Sequence, residues 1–177
     1  APIVDYAVKR AVKYRGAKLL LVDPLQTGLS SFAHLWLRPK IGTDIALING
    51  IARVIVTEGL LDEEFLTRKT DNFEALSREL ERYTPEYVEQ VTGVPGEDIR
   101  RAAHLFAGAT IASIVYGAGI TQHVTGTNCV MALANLAMLT GNIGSRGGIY
   151  ALQRDCNGQG ACDMGALPNL LPGYQSV

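Results

Sequence analysis

Apolar residues recur at three- and four-residue intervals over much of the chain, broken by short runs in which they are consecutive. Residues 2–15 put Ile3, Ala7, Val8, Ala11 and Val12 on one helical face. Lys13 and Arg15 fall in the last turn, and Gly16 stops it. Lys18-Leu-Leu-Leu-Val22 is a short apolar run bounded by Gly16 and Pro24. It predicts a strand buried on both faces, the type that parallel sheets contain. His34-Leu-Trp-Leu37, closed by Pro39, predicts a second strand. Residues 43–58 form a long helix, apolar nearly all round, with Gly59 just past its end. Shorter helices are expected from Asp62, from Asn72 and from Thr84-Pro85, an N-cap followed by proline at the first helical position. Residues 95–107 predict another helix, 111–116 a strand ending at Gly117, and 128–140 an apolar helix stopped by Gly141. The stretch 141–148 reads as a turn-rich loop.

Strands alternating with helices imply βα units. The expected fold is α/β, with a parallel sheet in a three-layer α/β/α, Rossmann-like arrangement. Such sheets bind ligands beyond the carboxyl ends of their strands, which directs attention to residues 23–28 and 117–123.

A length of 177 residues suits a single domain spanning 1–177. The net charge of −1 and the absence of a Lys/Arg run exclude nucleic acid and anionic membrane as evident partners. No apolar run approaches the ~18 residues of a membrane span. All charged residues except Arg146, Arg154, Asp155 and Asp163 lie in residues 1–116. The glycine-rich, charge-poor segment 141–177 makes a poor free surface, and is expected to be covered by cofactor or by other domains. Cys129, Cys156 and Cys162 have neither disulfide-framework nor metal-site spacing. They are read as free thiols, with Cys162 buried, in a cytoplasmic protein; the periplasm is the alternative.

Two carboxylates and one glycine-bearing loop could carry chemistry. Asp23-Pro24 directly follows the first strand. Its carboxylate either starts a turn or accepts hydrogen bonds from a ribose or a purine edge. Asp44 opens the long helix. It either complements the helix dipole or receives the N1–H and amine of a guanine. Gly117-Ala-Gly119-Ile-Thr-Gln122 ends a strand, with Gln122 where a dinucleotide fingerprint has its third glycine and with no prompt helix start. Its glycines permit close backbone approach to a ligand, and Thr121, Gln122 and His123 add polar contacts. His123 reads equally as a structural histidine. No nucleophile–base pair stands at a recognisable spacing.

Three stretches then acquire meaning as an ordered set. They are Gly16-Ala-Lys-Leu-Leu-Leu-Val-Asp-Pro24 with Gly42-Thr-Asp-Ile-Ala-Leu47; Tyr116-Gly-Ala-Gly-Ile-Thr-Gln-His123 with Leu136-Ala-Met-Leu-Thr-Gly-Asn-Ile-Gly144; and Gln159-Gly-Ala-Cys-Asp-Met-Gly-Ala-Leu-Pro168 with Pro172-Gly-Tyr174. Together they resemble the central part of molybdopterin oxidoreductase large subunits. The third stretch is most similar to formate dehydrogenases.

The resemblance implies a catalytic subunit that holds molybdenum or tungsten through two molybdopterin guanine dinucleotides. Such a subunit oxidises formate to carbon dioxide and passes electrons through an iron–sulfur cluster to electron-transfer subunits. It implies that Asp23 and Asp44 meet the guanosine end of one cofactor, and that Gly119, Thr121 and Gln122 lie along a pterin. In formate dehydrogenases an arginine stands six residues before the Gln-Gly-Ala-Cys-Asp stretch. Here that position is Gln153, with Arg154 one residue later as the alternative substrate-side group and Asp155 in place of an amide. Gln153 and Asp155 are carried as cofactor contacts. Leu25 stands where the family often has arginine.

No cluster-binding cysteine set and no metal-ligating cysteine with its histidine occur in the chain, and no metal site is expected in it. It is therefore expected to be a fragment, inactive alone, that works with the remaining domains of its subunit. The alternatives are another branch of the family, such as a nitrate reductase, and a non-catalytic scaffold domain of a respiratory iron–sulfur subunit.

Overall fold

The computed structural model describes residues 2–144, 147–152 and 157–177. The helices are α1 (Pro2–Arg15), α2 (Asp44–Thr57), α3 (Glu63–Lys69), α4 (Phe73–Leu80), α5 (Pro85–Thr92), α6 (Gly96–Ala107), α7 (Ala118–Thr121), α8 (Gly126–Leu139) and α9 (Gly158–Asp163). The strands are β1 (Leu20–Val22), β2 (Leu35–Leu37), β3 (Ala112–Tyr116), β4 (Gly147–Ala151), β5 (Leu170–Leu171) and β6 (Gln175–Ser176).

α2 is the centre of the core. Leu47, Ile51, Val54 and Ile55 are buried along it, packed among Val88 of α5, Ile99 and Ala103 of α6, and Leu133, Leu136 and Leu139 of α8. Burying side chains of this size stabilises by roughly 1.5–3 kcal/mol each, which explains a helix apolar on nearly every face. Gly50 lets α5 approach: a Cβ there would sit 2.9 Å from Val88 Cγ2. α2 ends in a left-handed Gly59 (φ 67°), and the Leu60 N–H donates back to Ile55 O at 2.9 Å. Side-chain caps start α3, where Asp62 Oδ1 accepts from Phe65 N, and α5, where Thr84 Oγ1 accepts from Tyr87 N.

The α/β class and the parallel pairing are as expected. β1 pairs with β2, and β3 with β4, both parallel; β5 and β6 form a short antiparallel pair. Among the described residues the parallel strands form two separate pairs rather than one continuous sheet.

Three local expectations change. β1 is not buried on both faces: Leu20 and Leu21 are half-buried and Val22 is exposed. The reason is that α6 packs against the β1–β2 pair while α1 buries no residue and rests on the turn at 30–32. The 141–148 stretch is not all loop, because Gly147 and Gly148 begin β4 against Ala112 and Ser113. Cys162 is half-buried rather than buried, on the short helix α9.

The buried Asn142 ties β3 to the end of α8. Its Oδ1 accepts from Ala112 N at 2.8 Å, and its Nδ2 donates to Thr140 Oγ1 at 2.8 Å. No helix among the described residues is long and apolar enough to cross a membrane.

Candidate functional site

At the carboxyl end of the β1–β2 pair the ladder runs one step past the strands: Asp23 N–H donates to Leu37 O at 3.1 Å. Asp23 is half-buried. Its Oδ1 accepts from Leu25 N at 2.9 Å, a local turn of the kind Asp-Pro favours. Its backbone carbonyl accepts the indole N–H of Trp36 at 2.8 Å. The turn reading of Asp23 thus holds for one carboxylate oxygen, and the other accepts no hydrogen bond among the described residues.

β2 leads through 38–43 into α2. Gly42 has φ 83°, which a side chain would strain, and no atom lies within 4 Å of where a Cβ would be. Thr43 Oγ1 is turned back onto Lys40 O at 2.6 Å, so it does not cap the helix. Asp44 lies in the first turn, half-buried, with no hydrogen bond or ion pair to its carboxylate among the described residues. The parallel pairing of β1 and β2 therefore brings Asp23 and the approach to Asp44 to one end of one βα unit.

The second loop lies at the carboxyl end of β3. α7 starts immediately after Gly117, against the expectation of no prompt helix; Ile120 N donates to Gly117 O at 3.0 Å and Gln122 N to Ala118 O at 2.9 Å. Gly119 is exposed and open, with nothing within 4 Å of an added Cβ. Thr121 and Gln122 are also exposed, and His123 is half-buried. Leu152, one residue past β4, donates to Tyr116 O at 2.7 Å. The carboxyl ends of β3 and β4 are thus side by side. Gln153, Arg154 and Asp155 lie outside the described residues. Among the described residues no hydrogen bond or ion pair links the Gly119 loop to Asp23 or Asp44, and no group of three His, Cys, Asp or Glu side chains could hold a metal ion.

The two loops share one geometry. Each has an exposed glycine bordering open space, where backbone can approach, and each stands at a strand end where parallel pairs present ligands. The first adds the Asp44 carboxylate, able to accept two donors together, and the second oxygen of Asp23. A separate shallow cleft of about 520 Å³ lies at the opposite, amino end of β1, beside Lys18. Of its lining side chains, Arg100 pairs with Glu86 and Arg101 with Asp98, both outside the cleft, and His104 hydrogen-bonds Glu58 within it.

One cluster gave no signal in the sequence beyond its place in the third motif. Gln159 Nε2 donates to Asp163 Oδ1 at 2.8 Å and to Tyr174 Oη at 2.6 Å, and Tyr174 O–H donates to the same Asp163 oxygen at 2.7 Å. The Tyr174 hydroxyl, then Gln159, holds the Asp163 carboxyl below the usual carboxylate range, and Asp163 in turn raises the Tyr174 phenol. The depressed Asp163 contributes stability that is present above its unfolded value and lost as pH falls through its lowered folded value. The raised Tyr174 contributes stability that is present below its ordinary value of about 10 and lost as pH rises through its raised folded value. The contact between α9 and residues 172–174 should therefore hold across the middle of the pH range and open at both extremes. Chemical shifts of Tyr174 against pH check this. Tyr174→Phe should return Asp163 toward an ordinary titration, and an unchanged Asp163 curve would refute the coupling.

A family model described as "Molybdopterin oxidoreductase" matches residues 1–177. The chain is 48% identical over 177 residues to the F420-dependent formate dehydrogenase 1 subunit alpha of Methanococcus maripaludis, covering 99% of this chain and 26% of that protein. It is 44% identical to formate dehydrogenase H of Escherichia coli, covering 99% of this chain and 25% of that protein. It thus spans about a quarter of the length of these curated relatives. Acetylene hydratase from Pelobacter acetylenicus superposes with a TM-score of 0.75 at 33% identity, over 78% of this chain and 19% of that one.

Proposed function

The chain belongs to the molybdopterin oxidoreductase family, and from that premise we propose that it is a cofactor-binding unit of a formate-oxidising enzyme. The observation that carries the reading is the pair of open, glycine-bearing loops that follow strand ends, one of them with the Asp44 carboxylate, unpartnered among the described residues, beside Gly42. The 41–48% identity to formate dehydrogenase alpha subunits supports formate as the substrate. The fold alone would not, since an acetylene hydratase shares it.

The cofactor, a molybdopterin guanine dinucleotide carrying molybdenum or tungsten, supplies the two-electron oxidation of formate to carbon dioxide. In this chain Asp44 accepts the N1–H and amine of the guanine, and Asp23 accepts from the guanosine through the oxygen that Leu25 leaves free. Gly119, Thr121 and Gln122 lie along the pterin, and Gly119 admits close backbone approach. Gln153 and Asp155 are carried as further cofactor contacts and Arg154 as the substrate-side cation. The iron–sulfur cluster is held by other residues of the enzyme, because Cys129, Cys156 and Cys162 lack cluster spacing.

Residues 1–177 act as one α/β unit. No residue after Asn142 is buried among those described, and Tyr150, Met164 and Leu171 are exposed. This supports the reading that 141–177 is covered by cofactor, by other domains of the subunit, or by electron-transfer subunits. Thiols without paired spacing fit the cytoplasm.

Titration with guanosine diphosphate, followed by chemical shifts, tests the reading. Saturable changes clustered at 23–28 and 42–45 are expected, with an affinity in the millimolar range because the described site is open to solvent. Absence of binding at millimolar ligand, or shifts scattered over the surface, would sink it.

A further inference from the structure

The residue after β2 is Arg38. Register places Val22 opposite Leu37, and the Asp23 N–H bond to Leu37 O carries the ladder one step further. Asp23 and Arg38 are therefore the next neighbours across the pair, at its carboxyl end. They do not form an ion pair, and no carboxylate pairs with Arg38 among the described residues. Arg38 instead stacks on Trp36, its guanidinium carbon 4.8 Å from the ring centroid. The indole is itself fixed by its N–H bond to Asp23 O. Arg38 is exposed.

An arginine that served only stability would be expected to close on the adjacent carboxylate. Stacking on a fixed indole keeps the charge in place while leaving its N–H donors free. Beside it, the Asp23 carboxylate keeps one oxygen unused. A cation with free donors and an acceptor, side by side at one strand end, match a ligand that carries both hydrogen-bond donors and negative charge.

We infer that Arg38, positioned by Trp36, is the phosphate contact of the nucleotide cradle whose acceptors are Asp23 and Asp44. This rests on the reading of that strand end as a nucleotide site. The planar guanidinium can take two phosphate oxygens together. Lys40, the neighbouring cation, turns its Nζ toward Gln90 O at 3.5 Å and serves the α5 end instead.

Trp36 is the only tryptophan in the chain, so its emission reports on this site directly. Guanosine, guanosine diphosphate and inorganic pyrophosphate are titrated into the full chain and into Arg38→Ala and Arg38→Lys, comparing midpoints rather than amplitudes. The diphosphate is expected to bind roughly ten-fold more tightly than the nucleoside, an advantage lost in Arg38→Ala and partly kept in Arg38→Lys. High salt should erode the same advantage. Far-ultraviolet dichroism checks that the exposed substitution leaves the fold intact. Equal binding of diphosphate and nucleoside, or unchanged diphosphate binding in Arg38→Ala, overturns the role of Arg38 while leaving the guanine cradle standing. Pyrophosphate binding that needs Arg38, without any response to guanosine, upholds the anion contact and removes the guanine reading. No response to any of the three overturns both.

Discussion

Gly126→Ala should unfold the protein at a temperature lower by roughly 6–12 °C, a loss of about 3 kcal/mol. Glycine to alanine inside a helix ordinarily gains up to ~1 kcal/mol, so the expected sign is reversed here by sterics. A Cβ on Gly126 would collide with Thr121 O, and would lie 2.9 Å from Thr121 C and 3.1 Å from its Cα. All three are backbone atoms, so no side chain can swing away. Gly126 is buried at the start of α8, and its N–H donates to His123 O at 2.9 Å. Relief must come by pushing the α7–α8 connection outward, which moves Thr121 and Gln122. Gly119→Ala is the control: it sits in α7 with nothing within 4 Å, so it should change stability by less than about 1 kcal/mol. Thermal unfolding of the two variants decides the matter. Equal melting temperatures would mean that the α7–α8 crossing relaxes freely and that Gly126 does not set the loop.

That close crossing was not legible in the sequence, and the reason applies generally to this molecule. The helices were legible because their periodic burial is local: α2, α5 and α6 lie where apolar spacing, Thr84-Pro85 and Gly59 put them. β4 was not, because Gly147 and Gly148 carry a turn composition and become a strand only by pairing with Ala112 and Ser113, some thirty-five residues earlier. The Gln159–Asp163–Tyr174 triangle depends in the same way on residues 172–174 folding back onto α9. Of the site, the strand-end positions of Asp23 and Gly119 followed from alternation of elements, and the place of Asp44 from the helix it opens. The environment of Asp23 did not, since the bond from Trp36 and the stacking of Arg38 require the parallel register of β1 and β2. Asp23 also shows that a turn-forming role and a ligand role need not compete, because the turn takes one oxygen and leaves the other.

Asp44 offers the sharper test of what the first loop recognises. Its carboxylate has two possible employments. As an acid in the first turn of α2 it interacts favourably with the helix dipole, worth about 0.3–1 kcal/mol. As a base reader it would accept two guanine donors at once, worth about 1–3 kcal/mol of discrimination, by analogy with bidentate side-chain pairs to bases. The two separate cleanly by substitution and by ligand. Asp44→Asn and Asp44→Ala both forfeit the dipole interaction, so both should lose up to about 1 kcal/mol of stability. Neither can accept the paired donors, since the asparagine amide opposes one of them with its own N–H. Affinity for guanosine diphosphate should therefore fall roughly thirty-fold in both variants. Inosine diphosphate lacks the exocyclic amine and so offers only one of the two donors. It should bind the wild-type chain less tightly than guanosine diphosphate, and the two should become equal in the variants. If Asp44→Ala loses stability yet binds both nucleotides as wild type does, Asp44 is a helix-dipole partner alone. Guanine selectivity would then have to come from another group at this strand end, with the free oxygen of Asp23 the next to be tested.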